Sequence, residues 1–190
     1  IRILAPILEE KSLELDASGD NDFDFVLVNL LAERNLLAPM ISRKYNGKGF
    51  NYFTMALYME EVGAICTGLA SVIAAITHAA SVIMIGGSKE QKEHFLPPLV
   101  KKKPKLAALA LSEQAAGSDI VSMSTHATMK ENQFILNGTK DYVINGSVAD
   151  YVIVFATFDS SRGRSTMTSF IVPSNSEGLE IGCIRRKMGI

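Results

Sequence analysis

The hydrophobic period of this chain changes once, near Leu106, and that change constrains the fold more than any other feature. Before it, apolar residues recur at the three- and four-residue spacing that lines one face of a helix. After it, they come in short β-branched and aromatic runs divided by Asn-Gly pairs. The expectation is an α+β chain: an N-terminal α-helical domain over residues 1–105, followed by an antiparallel, β-barrel-like domain over residues 106–190.

In the first part, Asp22 to Asn35 carries Phe23, Val26, Leu27, Leu30 and Leu31 on one helical face. A loop at Asn46-Gly47-Lys48-Gly49 leads to a long Ala-, Met-, Leu- and Ile-rich segment, Phe50 to Ile85, in which Gly63 and Gly68 mark either a close helix contact or a kink. Gly86-Gly87 reads as a left-handed C-terminal cap. Ser88 then opens a new helix: with Gln91 three residues on, Ser88-Lys89-Glu90-Gln91 fits a capping box, and Pro97-Pro98 and Pro104 punctuate the end.

In the second part, Gln133 to Asn137 reads as a strand turning at Asn137-Gly138, and Tyr142 to Asn145 repeats the pattern before Gly146. Tyr151–Thr157, Met167–Pro173 and the shorter Glu180–Ile184 complete the expected strands. No GxGxxG and no βαβ alternation occur, which disfavours a dinucleotide-binding fold.

Composition excludes several classes. With 47% hydrophobic and 21% charged residues and a net charge of −1, the chain reads as globular and has no basic surface for nucleic acid. The densest basic patch, Lys101 to Lys103 with Lys105, reads as a solvated helix end. The two cysteines, Cys66 and Cys183, lie far apart without metal-ligand spacing, which points to a reducing compartment. The opening residues lack the basic and long apolar segments of a signal peptide. Ala64 to Ile85 approaches membrane-spanning length, but its small and polar residues suit a helix buried among others, so a soluble intracellular protein is expected.

The stretch with chemical content is Ala110-Leu111-Ser112-Glu113-Gln114-Ala115-Ala116-Gly117-Ser118-Asp119-Ile120-Val121-Ser122. Small residues let backbone approach a flat or anionic ligand, and free amides and hydroxyls bind its oxygens. The same composition also fits an ordinary Gly-Ser turn. Ser112-Glu113 with Ala116-Gly117-Ser118-Asp119, however, resembles the signature of the acyl-CoA dehydrogenase family, with Gln114-Ala115 standing where Pro-Gly is common. Tyr58 to Gly63, Gly87 to Pro97, Asn137 to Gly146, Phe170 to Pro173 and Lys187-Met188-Gly189-Ile190 resemble further family segments in the same order.

That resemblance implies FAD chemistry: a carboxylate removes the α-proton of an acyl-CoA thioester and the β-hydride passes to the flavin, giving a 2-enoyl-CoA. It implies that Leu109, Leu111, Ser112, Gly117 and Ser118 line the flavin's pyrimidine side, with Ser112 binding flavin oxygens and Ser118 near the substrate's pantetheine or thioester end. Tyr142 stands where an aromatic shields the ring, Val143 follows against the isoalloxazine, and Ile144 replaces a hydroxyl residue that bonds the reactive nitrogen. The catalytic base would come from a C-terminal helical domain outside these residues, so the isolated chain is expected to bind FAD weakly and not turn over. An electron-transferring flavoprotein as acceptor, a tetramer or dimer, and a cytoplasmic (prokaryotic) or mitochondrial-matrix (eukaryotic) location are further implications. The substitution at Ile144 keeps open an oxidase or flavin monooxygenase-like relative, and a non-catalytic acyl-CoA-binding paralogue.

Other residues carry little by themselves. His78, in an apolar helix stretch, reads either as a wall of the acyl pocket or, more readily, as a packed histidine, and His94 and His126 lack metal spacing. Arg162 and Arg164 read as a solvated loop or as contacts to CoA phosphates. Glu60 and Glu61 point about 100 degrees apart on a helix and cannot work as a pair. The eight methionines read as core filler.

Overall fold

The computed structural model describes residues 1, 3–18, 23, 25–159 and 165–185. Arg162, Arg164 and the segment from Lys187 lie outside them, so those readings are untouched.

Among the described residues five α-helices come first: α1 (Ala5–Ser18), α2 (Phe25–Ala32), α3 (Tyr52–Ile65), α4 (Thr67–Gly86) and α5 (Lys89–Phe95). The inward face of α2 is Leu27, Val28, Leu31 and Ala32; Val26, expected inward, is exposed. The long apolar segment is two helices, broken at neither glycine but at Cys66, whose backbone is extended and whose sulfur accepts the Leu69 N–H at 3.4 Å. Helix α4 is long and apolar enough to cross a membrane by length and composition. Here it is the central core helix, burying Leu69, Ile73, Ile76, Ala80 and Ile83 at helical spacing against α3 and the sheet. Each fully buried isoleucine contributes roughly 1.5–3 kcal/mol.

Two cap expectations divide. The capping box on α5 is present, with Gln91 N–H donating to Ser88 Oγ and Ser88 N–H donating to Gln91 Oε1. Gly87 ends α4 in an extended conformation, φ −70°, not a left-handed one. Glycine is needed there for space, since a Cβ would fall 2.6 Å from the Ile83 carbonyl oxygen.

The sheet has five strands among the described residues: β1 (Ala107–Ala110), β2 (His126–Lys130), β3 (Gln133–Asn137), β4 (Tyr151–Thr157) and β5 (Met167–Pro173). It is open and mixed. β4 is central, parallel to β1 and β2 and antiparallel to β5, while β2 and β3 form an antiparallel hairpin. The hairpin turns at Glu131 and Asn132, both at positive φ as a type I′ turn requires, and not at Asn137-Gly138. Tyr142 to Gly146 is not a strand, because Tyr142 (φ 58°) and Asn145 (φ 65°) break the extended backbone. Glu180 to Ile184 forms no strand either. One hydrophobic core runs through both parts: Leu106, Ala107, Tyr151 and Ile153 pack with the buried faces of the helices.

Candidate functional site

Three segments meet beside α4. Strand β1 is locked in register where Leu106 N–H donates to the Asp150 carboxylate and Asp150 N–H donates back to the Leu106 carbonyl, both at 2.8 Å. Past Ala110 the chain leaves the sheet as Leu111 and Ser112, and Glu113 turns inward. The third segment runs from Gly138 to Ala149 and is tied to the first by the Asp141 N–H donating to the Ser112 carbonyl at 2.9 Å. Asn145, buried, donates from its side-chain amide to the carbonyls of Val72 on α4 and Ala107 on β1, at 3.2 and 3.4 Å.

The anchor of this arrangement is a buried ion pair. Glu113 and Lys140 approach to 2.8 Å with side chains only 5% and 8% exposed. The Glu113 carboxylate also accepts from the amide and hydroxyl of Ser124 and of Thr125, while Lys140 Nζ gives a second bond to the Leu111 carbonyl. Burial by itself would raise the Glu113 carboxyl, but the bonds from Lys140, Ser124 and Thr125 outweigh it and hold the group far below the usual carboxylate range. Glu113 therefore fixes the loop that follows β1 to the segment bearing Tyr142.

Between the segments lies a cavity of about 170 Å³, lined by Ala75, His78, Leu109, Leu111, Ser112, Asp141, Tyr142 and Ile144. Ala75, Leu109, Leu111 and Ile144 give it an aliphatic lining, and Tyr142, 66% exposed, stands on its solvent side. Among the described residues, neither the Ser112 hydroxyl nor its amide has a hydrogen-bond partner. A partly aliphatic lining with a free amide and hydroxyl suits the edge of a planar ring system carrying oxygen and nitrogen acceptors. The larger groove on the helical side, about 500 Å³ and lined by Leu36, Phe50, Leu57 and Tyr58 among others, offers little polar chemistry.

The residues singled out from the sequence divide accordingly. Leu109, Leu111, Ser112, Tyr142 and Ile144 come together around the cavity. Gly117 and Ser118 are exposed beyond the tight Glu113–Ala116 turn and do not line it. Val143 packs instead on the small cluster of Ala108, Ala110, Ala149 and Val152. His78, read as a packed histidine, is exposed and faces the cavity. Its wall position follows from the three-residue step from Ala75, which a helix places on the same face. Asp141 also lines the cavity and was not singled out for it; nothing in its spacing announced a partner so far along the chain.

Comparison with known proteins agrees with the resemblance. Residues 4–103 match the family model for the acyl-CoA dehydrogenase N-terminal domain, and residues 108–190 that for the middle domain. Cyclohex-1-ene-1-carbonyl-CoA dehydrogenase of Syntrophus aciditrophicus (strain SB) is 34% identical over 190 residues, covering 100% of this chain and 44% of that protein. Subunit CarC of the caffeyl-CoA reductase-Etf complex of Acetobacterium woodii is 32% identical, covering 100% of this chain and 51% of that one. A crystal structure of an FAD-dependent dehydrogenase superposes with a TM-score of 0.80 at 36% identity, over 96% of this chain and 50% of its own. The chain thus spans about half the length of the curated relatives it matches. With the N-terminal family model alone covering residues 4–103 of 190, the chain belongs to the acyl-CoA dehydrogenase family.

Proposed function

We propose that this chain is the helical and β part of an FAD-dependent acyl-CoA dehydrogenase, divided into domains at residues 105 and 106, that converts an acyl-CoA thioester to a 2-enoyl-CoA. The observation that carries this reading is the convergence of Ser112, with its free amide and hydroxyl, on a cavity walled by Leu109, Leu111, Tyr142 and Ile144. FAD, when bound, supplies the hydride acceptor. Leu109 and Leu111 present an apolar floor to the ring, Ser112 donates to its oxygens, and Tyr142 covers its exposed side from water. Gly117, Ser118 and Val143 remain proposed contacts, Ser118 toward the thioester end of the substrate. The base that removes the α-proton belongs to the half of the family's length that this chain does not span, so these residues alone bind and orient. An electron-transferring flavoprotein is the proposed acceptor, which the likeness to a subunit of an Etf complex supports. The proposed assembly is a tetramer or dimer, soluble and intracellular, in the cytoplasm of a prokaryote or the mitochondrial matrix of a eukaryote.

The test is a visible spectrum of the protein from the longest reading frame containing this chain, before and after anaerobic addition of a series of acyl-CoAs. The expected result is a flavin band that bleaches with one class of chain. A protein without flavin, or a flavin that no thioester reduces, overturns the reading. One observation favours a second reading, a relative that passes electrons to oxygen: Ile144 lines the cavity yet has no side-chain donor. Rapid reoxidation of the reduced flavin by air would select it.

A further inference from the structure

Tyr142 sits in the left-handed backbone region, with φ 58°, although it is bulky and carries a Cβ. Such a conformation costs of order 1–3 kcal/mol and persists only where its surroundings hold it. Burial is not what holds it, because Tyr142 is 66% exposed. The contacts that do are electrostatic. Tyr142 N–H donates to Asp141 Oδ1 at 3.0 Å. Arg185, 44 residues beyond Asp141, closes a fork on the same carboxylate, with Nε 3.2 Å from Oδ1 and a terminal nitrogen 2.7 Å from Oδ2. The same guanidinium lies over the Tyr142 ring, 5.0 Å from its centroid. One planar cation therefore clamps both the carboxylate that holds the Tyr142 backbone and the face of the ring, a double contact that a lysine's point charge does not reproduce.

We propose that Arg185 is a positioning residue for the cavity: through Asp141 and its own contact with the ring, it fixes the Tyr142 side chain at the cavity mouth. What the ring then faces, the flavin, rests on the functional reading above; the clamp itself does not. Because the Asp141 and Arg185 side chains are 21% and 50% exposed, the clamp is open to screening by salt.

The experiment uses the protein as isolated from the longest reading frame, with ring-labelled tyrosine and Arg185→Gln, Arg185→Lys and Asp141→Asn variants. The Tyr142 ring signal is assigned by its disappearance in Tyr142→Phe. Arg185→Gln is expected to move that signal and leave the other tyrosines in place, with Arg185→Lys only partly restoring it. A Tyr142 signal unchanged by Arg185→Gln overturns the proposal, whether or not flavin is present. In the flavoprotein, Arg185→Gln is expected to raise the FAD dissociation constant about three-fold, in line with an exposed cation–π contact and ion pair. That effect should vanish when Tyr142 is already leucine; an equal effect in the Tyr142→Leu background also overturns the proposal. Absence of any FAD binding counts against the functional reading and leaves the ring signal to decide this one.

Discussion

Two ion pairs flank the same cavity on consecutive residues, and they do opposite kinds of work. Lys140 reaches inward to Glu113, where both side chains are almost fully buried and the carboxylate accepts five hydrogen bonds. Asp141 reaches outward to Arg185, where the cation is half exposed and the carboxylate about a fifth exposed. The inner pair carries structure, because each buried charge keeps only neutral hydrogen-bond partners, and almost no water, if the other is lost. The outer pair carries orientation, because water replaces either partner at little cost while the ring between them is released. One peptide bond thus separates a foundation from an adjustment.

The largest expected effect lies at the inner pair. Lys140→Met leaves Glu113 ionised, buried and without its cation, and is expected to destabilise the fold by about 3–5 kcal/mol, read from the denaturant midpoint. Glu113→Gln with Lys140→Met removes both charges and should recover most of that loss; equal losses in the single and double variants would break the contrast.

Acid comes next. The Glu113 carboxyl is depressed in the folded state, so its contribution is complete above the ordinary carboxylate range and is lost as pH falls below about 4.3 toward the lower folded value. The parent should lose stability over that window, and Glu113→Gln should flatten the acid limb of a plot of melting temperature against pH.

A smaller effect is expected at Gly138, which has φ 156° and lies against Thr125, one of the residues donating to Glu113. An alanine there would place its Cβ 2.6 Å from Thr125 Cα, so Gly138→Ala should cost more than about 1 kcal/mol and perturb the inner pair without touching either charge. The smallest change in stability is expected from Arg185→Gln. Its melting temperature should match the parent's within error at 0.5 M salt, while at low salt, where the clamp is unscreened, the Tyr142 ring signal moves.

Much of the fold was legible from local pattern, and what was not depended on partners distant in sequence. The Ser88 capping box is read from four consecutive residues and is present. The β4 and β5 runs are apolar enough to identify themselves, being buried or half-buried along most of their lengths. The hairpin turn was misplaced because Asn137-Gly138 is the stronger local signal. Gly138 instead serves the approach to Thr125, and Glu131-Asn132 makes the turn with poorer turn residues. Tyr142 to Asn145 looked like a strand because its side chains favour one. Two positive φ angles, one held by the Asp141–Arg185 clamp, override that preference. At the site, Ser112 and Tyr142 were legible through the motif and hairpin that contain them. Glu113 and Lys140 were in the same motifs, but their pairing across 27 residues was not legible, and the apolar helix around His78 favoured a packed position over the wall position that it takes.

The claim on which the account turns is that FAD occupies the cavity between α4, the exit of β1 and the Asp141–Ile144 segment. Hydrogen exchange of the flavin-stripped, full-length protein, followed by mass spectrometry with and without added FAD, tests it directly. The account expects slower exchange on FAD binding in peptides covering 109–112 and 141–144. Protection confined to other segments, such as those around the Leu36–Tyr58 groove, with the cavity peptides unchanged, would contradict it.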